Sequence, residues 1–173
     1  MMEQTMQAPD RLSEPSVSPN WLAALRAYLL TAAAAGILWE TAQLPLYGIW
    51  RTGTYGENLF AAVHCTGGDL LIALASLTIG LMLAGHRDWP VRRFGMVAAI
   101  TLAIGFGYTV FSEWLNIAVR KSWTYSGLMP VVSILGLNLG VSPLMQWIVI
   151  PALALCAGRR AGGAMAAGPE PTM

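Results

Sequence analysis

The chain has 173 residues, 55% of them hydrophobic and only 11% charged, with a formal net charge of +1 and a positive mean hydropathy. A soluble domain carries about 25% charged residues, so this sequence lacks the material for a water-facing surface and has lipid as its natural solvent. The charge balance gives no footing for nucleic acid as a partner: there is no basic cluster and no nucleic-acid module.

Residues 1–20 mix Glu3, Asp10 and Glu14 with prolines, Ser and Gln, a composition that buries no core and reads as a disordered tail. Four apolar runs follow, at 21–43, 59–85, 94–119 and 143–158. They predict an all-α polytopic membrane domain over 21–158, with four transmembrane helices. The first run continues past the small residues Ala32 to Ala35 into Ile37, Leu38 and Trp39, so it reads as an uncleaved signal anchor. It ends in an aromatic cluster of Trp39, Tyr47 and Trp50, with Pro45 closing the helix. The fourth run is short for a hydrocarbon core of about 30 Å. Before it, residues 127–142 form an apolar stretch interrupted by Gly127, Pro130, Gly136 and Gly140, expected to be re-entrant or to lie at the interface. Residues 159–173, Gly- and Ala-rich after Arg159 and Arg160, read as a second disordered tail.

With the spans alternating, Arg11, Arg26, Arg87, Arg92, Arg93, Arg159 and Arg160 fall on one side and Arg51, Arg120 and Lys121 on the other. The positive-inside rule then places both termini in the cytoplasm of a bacterial-type inner membrane.

Polar groups are distributed unevenly along the spans. At about 100° per residue, Glu57, Asn58, His64, Cys65 and Asp69 share one face of the second span, and Tyr108, Thr109, Ser112, Glu113, Asn116 and Arg120 share one face of the third. Glu40 ends the first span and Gln146 opens the fourth. Alternation brings all of these to one side of the bilayer, at similar depth. A carboxylate in hydrocarbon costs about 2.5–3.5 kcal/mol even on the lenient insertion scale, so these groups require partners or a polar cavity.

Three uses fit such a constellation. The first is binding, with acid–base processing, of a small or lipidic ligand. Here Glu113 is the acid and His64 the base, Tyr108 and Asn116 orient a head group, and Glu40, Asp69, Arg120 and Gln146 complete the lining. The second is a divalent-metal site of His64, Asp69 and Glu113, whose nitrogen and oxygen ligands suit zinc, iron or copper, although no HExxH-type signature is present. The third is a non-catalytic membrane subunit whose polar stripe meets another membrane protein. Against all three stands plain helix packing, in which Asn, Ser, Thr and Gln bond across membrane helices at about 0.6–2 kcal/mol each. Two cysteines, Cys65 and Cys156, with no Cys-x-x-Cys, provide neither a disulfide framework nor a thiol relay.

Overall fold

The computed structural model describes residues 20–134 and 136–164. It is mostly helical, and four of its helices are long and apolar enough to cross a membrane.

Helix α1 (Trp21–Gln43) starts where the Asn20 side chain accepts a hydrogen bond from the Ala23 amide at 2.9 Å. It gives way at Pro45 to a 3₁₀ turn, Leu44–Leu46, and then to the short helix α2 (Ile49–Thr52). Helix α3 (Tyr55–Ala84) begins earlier than the apolar run because Thr54 and Glu57 form a reciprocal capping box. Thr54 Oγ1 accepts from the Glu57 amide at 3.3 Å, and the Thr54 amide donates to Glu57 Oε2 at 2.7 Å. Glu57 is therefore spent on the cap. Helix α4 (Phe94–Glu113) continues as a π-helical turn, Trp114–Val119.

The stretch before the last helix departs from the all-α reading. Val131–Ile134 (β1) and Leu137–Gly140 (β2) pair antiparallel, with Val131 opposite Gly140 and Ile134 opposite Leu137. The β-branched Val131, Val132 and Ile134 favour extended backbone, and Gly136 at φ +80° supplies the left-handed turn residue that a tight hairpin needs. Helix α5 (Val141–Ala164) follows without a break. It takes in Arg159 and Arg160, which composition alone assigns to a tail. The tails expected at 1–19 and 165–173 lie outside the described residues.

Helices α1 and α5 run antiparallel: the Asn20 amide meets the Gly162 carbonyl at 3.2 Å, and Gln43 meets Gln146 at the other end. Tyr28 on α1 donates to the Ala73 carbonyl of α3 at 3.1 Å, and Gly36 faces Thr66, so α3 is antiparallel to α1 as well. The core near the chain ends is built of small residues. A methyl group on Gly158 would stand 2.9 Å from the Ala24 carbonyl, so α1 and α5 touch backbone to backbone there. Large apolar side chains point outward instead, with Leu30, Leu38 and Leu71 at least 70% exposed. In water such a surface is unfavourable; against lipid chains it is the natural one.

Midway along the bundle, Gly105 of α4 receives the six-membered ring of Trp147 of α5. A Cβ at Gly105 would lie 2.3 Å from Trp147 Cζ3 and 2.5 Å from Cε3. Gly105→Ala is expected to destabilise the protein by about 1–3 kcal/mol through overpacking, read as a lower unfolding midpoint in detergent. Gly107→Ala, two residues along the same helix where an added Cβ meets nothing within 4 Å, is expected to be neutral or stabilising by up to about 1 kcal/mol. Equal midpoints for the two variants would contradict the packing described.

Candidate functional site

At the end of the bundle away from Trp21 and Ala164, the helices enclose a cavity of about 660 Å³. It is lined by Glu40 of α1, His64, Cys65 and Asp69 of α3, Tyr108 and Glu113 of α4, Asn116 of the π turn, Arg120 beyond it, and Gln146 and Trp147 of α5. All eight residues singled out from the sequence thus border one space. They do not form one hydrogen-bonded cluster.

The first group is centred on Gln146, which is 4% exposed. Its amide nitrogen donates to Glu40 Oε1 at 2.8 Å and to Asp69 Oδ2 at 2.7 Å. One amide therefore holds a carboxyl from each of two other helices. The Gln146 carbonyl accepts from Gln43 Nε2 at 3.1 Å, Gln43 Oε1 accepts from Ser142 Oγ at 2.7 Å, and Ser142 Oγ accepts from the Trp39 indole at 3.2 Å. The direction of this chain is fixed at both ends. Indole nitrogen only donates, and the Gln146 amide nitrogen donates to both carboxyls.

The second group is centred on Glu113, 5% exposed. Its Oε2 accepts from the Tyr125 hydroxyl, and the same hydroxyl accepts from the Gly140 amide at 2.8 Å. Tyr125 is held in place by the loops. The Gly48 amide donates to the Thr124 carbonyl and the Ser126 amide to the Leu46 carbonyl, both at 2.8 Å, and Tyr47 packs its ring 5.8 Å from that of Tyr125. Burial, followed by the neighbouring Glu113, pushes the Tyr125 phenol above its usual range, and burial, Glu113 and Tyr125 do the same at Tyr47. Tyr125 consequently keeps its proton and remains a donor to Glu113.

The other residues stand apart. Asn116 Nδ2 turns back to the Ser112 carbonyl at 2.9 Å and to Ser112 Oγ at 3.2 Å, within its own helix. His64 is exposed and stacks on Phe60 with ring centroids 5.2 Å apart. Tyr108 is 47% exposed beside Phe111. Arg120 is exposed, and the ion pairs among the described residues all involve Asp88, in the turn between α3 and α4. Trp123, also in the lining, has a buried indole Nε1 with no hydrogen-bond partner among the described residues.

Among the described residues no three of His, Cys, Asp and Glu are grouped so as to hold a metal ion. Asp69 turns to Gln146, Glu113 to Tyr125 and His64 to Phe60, so the three expected ligands bond to different neighbours. Sequence reasoning missed Tyr125 because it lies in an irregular segment, where no helical period marks a residue as facing inward, and Ser142 because it falls in the first turn of α5, ahead of the apolar run at 143–158. The aromatic-polar run Trp123 to Ser126 was the only available signal.

No family model, curated protein or solved structure matches the chain.

Gln146→Leu removes both donors from Glu40 and Asp69 and strands the Gln43 amide; a loss of about 1–3 kcal/mol is expected, against about 1 kcal/mol for Ser142→Ala. Denaturant unfolding in detergent checks the order, and a Gln146→Leu midpoint at the wild-type value would disprove the role given to this amide. A second expectation concerns alkaline pH. Because the Tyr125 phenol is raised above its ordinary 10.0, the folded state keeps a proton that the unfolded chain has lost. The stabilisation is complete below that value and declines as pH rises past it. Tyr125→Phe should show a shallower alkaline loss of stability than the wild type, measured as unfolding midpoint against pH.

Proposed function

We propose that this chain is a multi-pass protein of the bacterial cytoplasmic membrane, with both termini in the cytoplasm, whose cavity opens on the opposite face and binds a small or lipidic ligand. Four long apolar helices with outward-facing leucines support the membrane setting. The Lys and Arg distribution supports the orientation.

The observation that carries the reading is that Glu40, Asp69 and Glu113, from three different helices, border a single cavity. A volume of about 660 Å³ is in the range of ligand sites, which run to about 300–1,000 Å³. Packing alone would close such a space, since buried carboxyls at helix contacts gain more from direct partners than from a void. The lining combines convergent acceptors with the aromatic surfaces of Tyr47, Tyr108, Trp123 and Trp147. That mixture orients an amphiphilic molecule by its polar end.

The chemistry for which the cavity is equipped is proton transfer. Glu113, positioned by Tyr125, is the group to exchange a proton with a bound ligand, and His64 borders the same space as a second acid–base group. The ligand is held by hydrogen bonds to the carboxyls, while Asp69 and Glu40 stay fixed by Gln146.

Native mass spectrometry of gently extracted protein, beside Glu113→Gln, tests the proposal. The wild type is expected to retain a bound small molecule or lipid that the variant loses. An empty wild-type cavity, with the variant merely less stable, would return these residues to a packing role.

A further inference from the structure

Helices α3 and α4 are neighbours that touch at one end and part at the other. Near the turn that joins them, a Cβ on Gly80 would stand 2.7 Å from Thr101 Oγ1 and 3.1 Å from the Val97 carbonyl, so the two backbones are in contact. About three turns away along α3, an added Cβ on Gly67 or Gly68 meets nothing within 4 Å. Gly68 nevertheless borders the cavity, as do the exposed side chains of His64 and Tyr108. Exposed side chains in the cavity wall, at a level where α3 makes no close contact through Gly67 or Gly68, mark a place where that wall is open. The opening lies sideways, between α3 and α4.

Its depth determines what it opens onto. His64 is nine residues from the start of α3 at Tyr55, and Tyr108 is eleven from the end of the π turn at Val119. At about 1.5 Å per residue both lie about 14–17 Å from that end of the bundle, within the apolar runs that begin at residue 59 and end at residue 119 and so below the surface of a hydrocarbon core of about 30 Å. On the membrane placement proposed above, lipid chains are what stand outside the gap. Its frame suits them, with Phe60 beside His64 and Phe111 beside Tyr108.

The inner wall has the opposite character. Its buried ionisable groups are carboxyls, and the neutral donors that reach them and Asp69, namely Gln146, Tyr125 and the Trp147 indole, are already engaged. The cations Arg120 and Lys121 are exposed, beyond the π turn. The free donors of the lining among the described residues, the Trp123 indole and the cations Arg120 and Lys121, thus stand beyond the π turn, while the inner wall between the helices offers the carboxyls as acceptors and selects a head group that donates.

We infer that the ligand is a single-chain amphiphile that enters sideways from the bilayer between α3 and α4. Its hydrocarbon chain lies in the gap between His64 and Tyr108, and its hydrogen-bond-donating head group, an ammonium or a hydroxyl, ends at the carboxyls of Asp69 and Glu113. This rests on the cavity being a ligand site.

The test uses the full chain in phosphatidylcholine nanodiscs, titrated with dodecylammonium, dodecanol, dodecyl phosphate and methylammonium, with tryptophan fluorescence reporting through Trp123 and Trp147. At least one of the two donor-headed dodecyl probes is expected to saturate at a concentration at least about tenfold below that of dodecyl phosphate and of methylammonium. Gly68→Leu, which fills the gap, should weaken that binding by at least about tenfold while unfolding at the wild-type midpoint, and Gly107→Leu should not. If Gly68→Leu fails to fold, a dodecylamine carrying a diazirine at the chain end gives the same answer in the wild type. Label on α3 and α4 around His64 and Tyr108 supports side entry; label confined to residues 44–52 and 120–126 overturns it. Methylammonium binding as tightly as dodecylammonium, or a preference for dodecyl phosphate, also overturns the inference and leaves the cavity a ligand site of another kind. Failure of all four probes together with an empty cavity in native mass spectra would bring down the underlying reading itself.

Discussion

The amide of Gln146 is the joint on which this end of the molecule depends. Two carboxyls, Glu40 on α1 and Asp69 on α3, have to be satisfied between the helices, and both are met by one nitrogen on α5. That nitrogen is available only if the amide points one way, and the amide points that way because Gln43 donates to its oxygen. Gln43 is fixed in turn by Ser142, and Ser142 by Trp39. In a low-dielectric interior such a chain is stronger than its separate bonds, and the loss of one member leaves the rest costly. Three helices are thereby locked in register by side chains that would otherwise weaken a membrane bundle.

Opposite that joint, Tyr125 performs a different task. It lies outside the helices, yet it links Glu113 of α4 to the backbone of the hairpin at Gly140. The loop segment that carries it is stitched to the residues after α1 by backbone hydrogen bonds at Gly48 and Ser126. The irregular segments are thus part of the cavity's construction and line it at the end away from Trp21 and Ala164. Between the two bonded groups the helices have no small-residue contact of the kind that joins α1 to α5 at Gly158 or α3 to α4 at Gly80, and the space between them is the cavity. Close backbone packing at one end and long polar side chains at the other give the bundle its taper.

The four long helices were legible because length and hydropathy are local properties: an apolar run of about 20 residues has few ways to satisfy its backbone other than as a helix. That Glu40, His64, Asp69, Glu113 and Gln146 belong at one end was also legible, because alternation of antiparallel spans fixes depth. The hairpin was not, since four-residue strands leave too little pattern to separate Val131–Ile134 from an interfacial run. The pairing of the polar groups was not legible either. Helical arcs put Asn116 and Glu113 on one face, but the π turn alters the register beyond Glu113, and Asn116 bonds back to Ser112.

The sequence by itself therefore determined which residues are too polar for lipid and at which end of the bundle they collect, because both follow from hydropathy counted along one chain. Tertiary structure decided who partners whom: Gln146 with Glu40 and Asp69, Tyr125 with Glu113, and His64 with the ring of Phe60. Hydrogen bonds depend on distances of about 3 Å and on direction. Those are set by how far neighbouring helices stand apart and how they are rotated, which the packing of Gly158 on Ala24 and of Trp147 on Gly105 fixes and no single span encodes.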